Sequence, residues 1–521
     1  MAISVIDAET DPFKRRRVPA PFIWGYYNGE DYRVFYDTDE FVAFLKTRND
    51  ICYAHNGGKF DWHFLLPYVD PYEEILIING RISKMMLGLC ECRDSYNILP
   101  IPLSAYKKDD MDYSIMEKSE RSKPANKRRI EKYLKNDCIY LYELVSRFIS
   151  EYGMNLTQAG AAMKQWKKIS DQAVPESTPE FYYEMSEFYY GGRVQCFESG
   201  IIDADFSVYD INSAYPHAMT HKHPYSTNFK RVDGYQHNAD FYTVRCISRG
   251  AFPERRGNGG VVFPDDGEMR YYYVTGWEYR AALDTKTISR ITVLESITFC
   301  GHTDFIDYVK HFYNKRLECK AAQDDAGSLF AKLLMNSLYG KFAANPEAYK
   351  NYMVVPMEVI GGLDNLGWKF AGEFGPWGLA SSPLEDNKMH FYNVATGASI
   401  TGFVRAMLWR AICASKGVMY CDTDSIAVRS AGKLALGDKL GQWKHEGTFD
   451  RAGIAGKKMY IFRPVSRLED DYKTASKGVR LTHAELWKVA KGGIVEYERE
   501  NPSFSVKRAP IFIKREVRKT A

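Results

Sequence analysis

Residues 418–428, "VMYCDTDSIAV", set two carboxylates one residue apart between two apolar, β-type runs. Gly417 breaks a helical pattern just before them. The pattern predicts a β-hairpin with Asp422 and Asp424 at its turn. In an extended chain, residues i and i+2 point to one face, so the two carboxylates are expected side by side. Unpaired, they would repel and one would protonate. A divalent cation resolves that conflict, and hard oxygen ligands suit Mg²⁺. A fold built around this hairpin must bring it further ligands. An earlier Asp-Thr-Asp, residues 37–39, has another reading: Asp37 and Glu40 have capping-box spacing where a strand passes to a helix, which predicts a helix cap.

Two other segments offer partners. In "FSVYDINSAYPHAM", 206–219, a β-type run turns helical after Asp210, so a carboxylate at a strand end can meet the hairpin turn. The plain alternative is an N-cap. "FAKLLMNSLYGKF", 330–342, reads as a helix ended by Gly340. Lys332, Asn336 and Tyr339 fall on one face of it, suited to a triphosphate, a base edge and a base. A second basic helical stretch precedes "DDAGS", and antiparallel packing would bring its Lys320 near Lys332.

The remaining composition sets bounds. The chain has 521 residues, 45% hydrophobic and 26% charged, enough for several domains. No apolar run approaches the ~18 residues of a membrane span. The N-terminus carries its charge after a very short apolar stretch, the wrong order for a secretory signal. Ten scattered cysteines without C-x2-C spacing suit reduced cytosolic thiols, so a cytoplasmic protein is expected. The net charge is only +4, but residues 475–521 hold 11 Lys/Arg against 5 Asp/Glu, a tail that suits a polyanion or a solvated end. Asn28-Gly29 between two aromatic runs predicts a hairpin.

"DINSAYP", "KLLMNSLYGK" and "YCDTDS" occur in that order and resemble motifs A, B and C of family B DNA polymerases, most closely the protein-primed branch of phages and linear plasmids. The resemblance implies that Asp210 and Asp424 hold two Mg²⁺ (or Mn²⁺) ions with the Ile211 carbonyl, Asp422 standing nearby. Lys320, Lys332 and Asn336 would bind the nucleotide, Tyr215 would exclude a 2′-hydroxyl, and Tyr339 would line the nascent base pair. "VIDAET" resembles the first motif of a 3′–5′ exonuclease, with Asp7 and Glu9. "AHNGGKFDWHF" resembles the second, with Asn56 and Asp61, and "YLKND" the third, with Tyr133 and Asp137. Two further divalent metals are implied there. Lys108 and Asp110 resemble a branch-specific catalytic element, with Asp110 a further metal ligand. Ser95 matches a single-strand-binding motif in which Tyr96 replaces the usual Leu. "YYGGR" (Tyr189, Gly191, Gly192, Arg193) resembles a template-contacting link, "KMY" (Lys458, Tyr460) a primer-strand motif, and "TGFVR" (Thr401, Arg405) a duplex contact.

The expected architecture is α/β multidomain: an N-terminal RNase H-like 3′–5′ exonuclease followed by a palm–fingers–thumb right hand with two insertions. The expected bounds are exonuclease 1–160, palm 161–222 and 392–480, first insertion 223–309, fingers 310–345, second insertion 346–391 and thumb 481–521. "EFGPWGLASSPLEDN", in the second insertion, reads as loop-rich. The implied function is DNA-directed DNA polymerisation from a protein primer on a linear genome, with proofreading and strand displacement. The alternative is a polymerase of the same fold that needs no protein primer. Primer-template DNA, dNTPs, a terminal protein docked on the first insertion and a single-strand-binding protein are the implied partners. A monomer in the cytoplasm is expected, that of a bacterial host if the chain is phage-encoded. Three rivals fit less well. A repair nuclease with a decayed polymerase would not keep all three motifs charged. A non-catalytic scaffold would carry its placed carboxylates at needless electrostatic cost. A reverse transcriptase would have adjacent aspartates, where this hairpin inserts Thr423.

Overall fold

The structure, a computed structural model, describes residues 2–257, 259–384, 390–466, 468 and 471–520. Two large sheets organise it. In the N-terminal sheet, strand Ile3–Thr10 lies between Pro21–Tyr27 (antiparallel) and Ile51–Ala54 (parallel). Val5 and Ile6 are fully buried, because helix Pro124–Tyr152 covers one face and helix Thr38–Lys46 helps cover the other. Gly25 lets the long helix come close: a Cβ there would lie 2.9 Å from Cys138 Sγ and 3.0 Å from Leu134 Cγ. The expected hairpin joins Pro21–Tyr27 to Tyr32–Phe35, and Asp37 caps helix Thr38–Lys46, accepting from Glu40 N at 3.0 Å.

The second sheet has seven strands, with Gly200–Ile211 between Trp443–Gly456 and Ser425–Ser430. Lys416–Asp422 and the edge strand Val194–Cys196 follow on the same side. Helix Val394–Ala414 is buried over most of its length and ties this sheet to the helices around it. Helices Ile306–Ala321 and Asp325–Phe342 stand beside it, the latter with buried Phe330, Leu334 and Leu338.

Three expectations change. Gly340 does not end its helix, which runs to Phe342 and stops at Ala343; nothing lies within 4 Å of a Cβ at Gly340, so no tight turn requires glycine there. The segment read as loop-rich forms a hairpin, Lys369–Phe374 with Trp377–Pro383, whose inner residues Leu379 and Ala380 are buried; its final residues, 385–387, lie outside the described residues. The hairpin and strand Lys350–Val355 also do not stand apart: Tyr352 pairs with Ile75 and Met353 with Glu74, extending the N-terminal sheet to ten strands.

Candidate active sites

The first site grows from strand Ile3–Thr10. Asp7 and Glu9, two residues apart, point to the face covered by helix Pro124–Tyr152, which supplies Asp137. One carboxylate oxygen from each of the three lies within 4.8 Å of the others. Asp61, at the start of the short helix Asp61–Leu65, is buried beside them. Burial, then the neighbouring carboxylates, raises the pKa of Asp7 and lifts Glu9 to about 8. Burial also lifts Asp61 to about 7. Lys108 Nζ stands 3.5 Å from Asp137. Burial opposes the charge on Lys108, but Asp137 and its neighbours outweigh it and raise its pKa. Tyr133 is buried and its hydroxyl meets that of Tyr113 at 3.0 Å. Burial, then that bond, pushes its pKa up, so it stays protonated.

These residues fit divalent cations. Asp137 Oδ1 is buried with no hydrogen-bond partner, and the single charge of Lys108 does not hold four desolvated carboxylates ionised. Asp110 does not join them: it is exposed, while its neighbour Asp109 bonds Asn136 and Tyr140. Asn56 sits at φ 63° on the loop before Asp61 and accepts from Arg81 at 2.8 Å. Arg81 also pairs with buried Asp94 at 2.6 Å, so this pair, which no sequence motif marked, fixes the loop. Ser95 is fully buried against His55 and the Ala54 carbonyl, which closes it to a DNA strand.

In the second site, Asp210 pairs with Ser425 across the sheet and Ile211 N donates to the Asp424 carbonyl at 2.9 Å. This brings Asp210 and Asp424 together. Burial, then Asp210, then Asp422 lifts Asp424 to about 7. Burial, then Glu446, raises the pKa of Asp210. Glu446 was missed because it sits mid-strand in an ordinary polar run. Asp422 and Asp424 are not side by side on an extended chain. Thr423 takes φ 61° and Asp424 N bonds back to the Asp422 carbonyl at 2.6 Å, so the turn parts them. Asp422 instead accepts from Lys458 Nζ at 2.7 Å and from Thr423 Oγ1 at 3.1 Å. Tyr420, with Tyr460 5.0 Å away, accepts from Lys458 N at 2.9 Å.

Tyr215, on helix Ala214–Met219, stacks on Tyr339 with ring centres 4.3 Å apart and planes at 7°. Lys332 and Lys320 are exposed, and Asn336 donates to the Lys332 carbonyl at 2.8 Å. The loop from Tyr189 to Arg193 abuts the catalytic turn, since Thr423 N donates to the Arg193 carbonyl at 2.7 Å. Gly192 is required there: a Cβ would lie 2.7 Å from Thr423 Cγ2 and 3.0 Å from the Tyr215 hydroxyl. Gly191 is exposed and Tyr189 half-buried. Three further expected DNA contacts are closed in this structure. Arg193 is 1% exposed, bonding the Gly250 carbonyl and lying over Phe263 and Trp409. Arg405 is 2% exposed, paired with Glu278 at 2.7 Å and bonded to the Gly191 carbonyl at 2.9 Å. Thr401 is buried and donates to the Ala398 carbonyl of its own helix.

The sequence profile described as "DNA polymerase type B, organellar and viral" matches residues 93–367. The chain is 37% identical to the DNA-directed DNA polymerase of Enterobacteria phage PRD1, over 99% of this chain and 98% of that one. It is 26% identical to the DNA polymerase of Bacillus phage phi29, over 84% of this chain and 83% of that one. Its fold matches phi29 DNA polymerase solved with primer-template DNA and incoming nucleotide: TM-score 0.74, 21% identity, 99% of this chain and 100% of that one. Among the described residues, no helix is long and apolar enough to cross a membrane.

Proposed function

The chain belongs to the protein-primed family B DNA polymerases, the organellar and viral type, and from that premise we propose that it pairs polymerisation with 3′–5′ proofreading at two separate carboxylate sites. The observation that carries this is the pair of desolvated acidic clusters, one on each sheet. Asp210 and Asp424 would hold the cations of the polymerase site, and Asp7, Glu9, Asp61 and Asp137 those of the nuclease. Divalent cations bound there supply the Lewis acidity and charge neutralisation that phosphoryl transfer needs.

The chain's own groups do the rest. Lys332 and Lys320 take the triphosphate, and their charge offsets what develops on the leaving oxygens. Tyr339 flanks the base and Tyr215 lies beneath the sugar. Lys458, held by Asp422 and Tyr420, faces the primer strand. In the nuclease, Lys108 sets a positive charge beside Asp137, and protonated Tyr133 donates to a phosphate oxygen. Gly191 and Tyr189 offer a loop backbone to the template. Arg405 holds that loop from behind, and Arg193 pins its end to the Gly250 carbonyl, rather than touching DNA.

The regions expected from the sequence divide the labour, with helix Ile306–Ala321 whole in the fingers. The first insertion would dock a terminal protein and the second would favour strand displacement, its strands being anchored on the nuclease sheet. The test is separation of the activities on the full chain. Asp424→Ala should lose primer extension and keep degradation of single-stranded 3′ ends. Asp7→Ala with Glu9→Ala should do the reverse. Extension surviving in Asp424→Ala, or degradation surviving in the double variant, would sink the assignment of that site.

A further inference from the structure

Helix Pro124–Tyr152 serves both halves of the molecule. It spans 29 residues, roughly 44 Å at 1.5 Å per residue. It brings Tyr133 and Asp137 to the nuclease site, and about 15 Å further on it presents Arg147 to the nucleotide helix. Arg147 donates twice to Asp324, from Nη1 to Oδ1 at 2.7 Å and from Nη2 to Oδ2 at 2.5 Å. Asp324 is at the same time the N-cap of helix Asp325–Phe342, accepting from Gly327 N at 3.0 Å. The guanidinium sits against the first helical turn, since a Cβ on Gly327 would lie 2.9 Å from Arg147 Nη2.

The neighbouring residues of the long helix reinforce the joint. Glu151 accepts from Arg147 Nε at 2.9 Å and from Lys315 Nζ at 2.6 Å. Phe148 and Tyr152 set ring edges on Phe330, at 5.3 and 6.2 Å. Apolar packing of this kind tolerates sliding. A planar two-bond fork does not, because it fixes direction as well as distance. A guanidinium alone would be repelled by a helix N-terminus, and Asp324, standing between, turns that repulsion into a clamp.

We propose that Arg147 is a positioning residue for polymerisation: by fixing the cap Asp324, it sets the direction of the helix that presents Lys332, Asn336 and Tyr339 to the incoming nucleotide. Lys332 lies eight residues past the cap, about 12 Å, so a tilt of about 10° at the cap would move it by about 2 Å. The proofreading half thereby holds the nucleotide-binding helix in place. This rests on the reading above that the helix binds nucleotide.

Steady-state kinetics on the full chain test it. Asp324→Asn keeps the cap, because Asn caps as well as Asp, but removes the charge. Arg147→Ala removes the other partner. Each should raise KM for dNTP roughly fivefold, the ratio that about 1 kcal/mol represents, with kcat nearly unchanged. The double variant should be no worse than Arg147→Ala alone, which already removes the interaction that Asp324→Asn weakens. Arg147→Lys should recover part of the loss, and Arg147→Ala should degrade single-stranded 3′ ends at the normal rate. A normal dNTP KM in Arg147→Ala overturns the proposal. So do single effects that add in the double variant, or a loss of both activities together at unchanged KM, which marks a merely loosened fold. Lys332→Ala tests the underlying reading separately: it should raise the same KM, and if it does not, the helix is not the nucleotide site.

Discussion

Tyr215 carries the most specific single-residue expectation. It follows Asp210 by five residues, and its ring stacks on Tyr339 beside the catalytic turn. A nucleotide whose phosphates lie at Asp210 and Asp424 would set its sugar against that ring, where a 2′-hydroxyl collides. Tyr215→Val should raise ribonucleotide use at least about tenfold, the ratio ~1.4 kcal/mol represents, and largely spare dNTP use. The ratio of kcat/KM for dATP and ATP on one primed template measures it, and an unchanged ratio rejects the gate. Glu9 makes a second case, through pH. Its folded pKa, about 8, lies above its ordinary 4.5, so the fold favours the protonated form. Stability from this group is therefore complete below about pH 4.5 and is lost as pH rises through about 8. In metal-free buffer, Glu9→Gln should raise the unfolding free energy at pH 8.5 by on the order of 1–3 kcal/mol, read as a higher melting temperature, and change it little at pH 4.5. An equal shift at both pH values would show that packing, not charge, is responsible. The sequence marked all these residues because their motifs are local. It missed Glu446 and the Arg81–Asp94 pair, which gain meaning only when distant strands meet.

At the scale of elements, helix Val394–Ala414 shows what local spacing conceals. Thr396, Ser399, Thr401 and Arg405 are all buried in it, so its polar residues do not mark a solvent face. A sequence reading takes an arginine in such a helix for a DNA contact. In the structure it neutralises Glu278, which also completes the capping box of helix Gly276–Asp284. Removing one partner strands a buried charge. Arg405→Ala should therefore cost about 3–5 kcal/mol, whereas Arg405→Met with Glu278→Gln, which keeps an oxygen for the capping box, should cost less than the two single losses added. Thermal unfolding of the single and double variants measures the difference, and additive losses would show the two side chains to be independent. The same gap between local and tertiary information explains the other misreadings. Gly340 reads as a helix stop, yet the helix continues because Leu338 and Phe342 are buried on either side of it. The run around Trp377 reads as loop from its glycines and prolines, yet it becomes a strand because Lys350–Val355 offers it a partner.

Across the whole molecule, the N-terminal sheet is completed by strands that arrive more than 270 residues later. Lys350–Val355 docks on Glu74–Ile78 through a short ladder, and Tyr72 N and Val354 N add bonds to carbonyls across the same edge. Phe504, from the C-terminal region, packs against Phe60, His63 and Phe64 of the N-terminal region. The two-sheet plan was legible in the sequence, because each sheet carries its own motifs. This joining was not, because a two-residue ladder leaves no periodic trace. It has a testable consequence for domain independence. Cut out as residues 1–170, the N-terminal region would bare the edge strand Glu74–Ile78, with Ile75 and Ile77 on its buried side, and the aromatic groups that Phe504 covers. An exposed apolar edge pairs with other copies. The fragment should self-associate in light scattering while the full chain stays dispersed at the same concentration. Leu76→Lys, which charges that edge on its less buried face, should restore dispersion to the fragment. A monodisperse, folded wild-type fragment would show that the N-terminal sheet closes without its late strands.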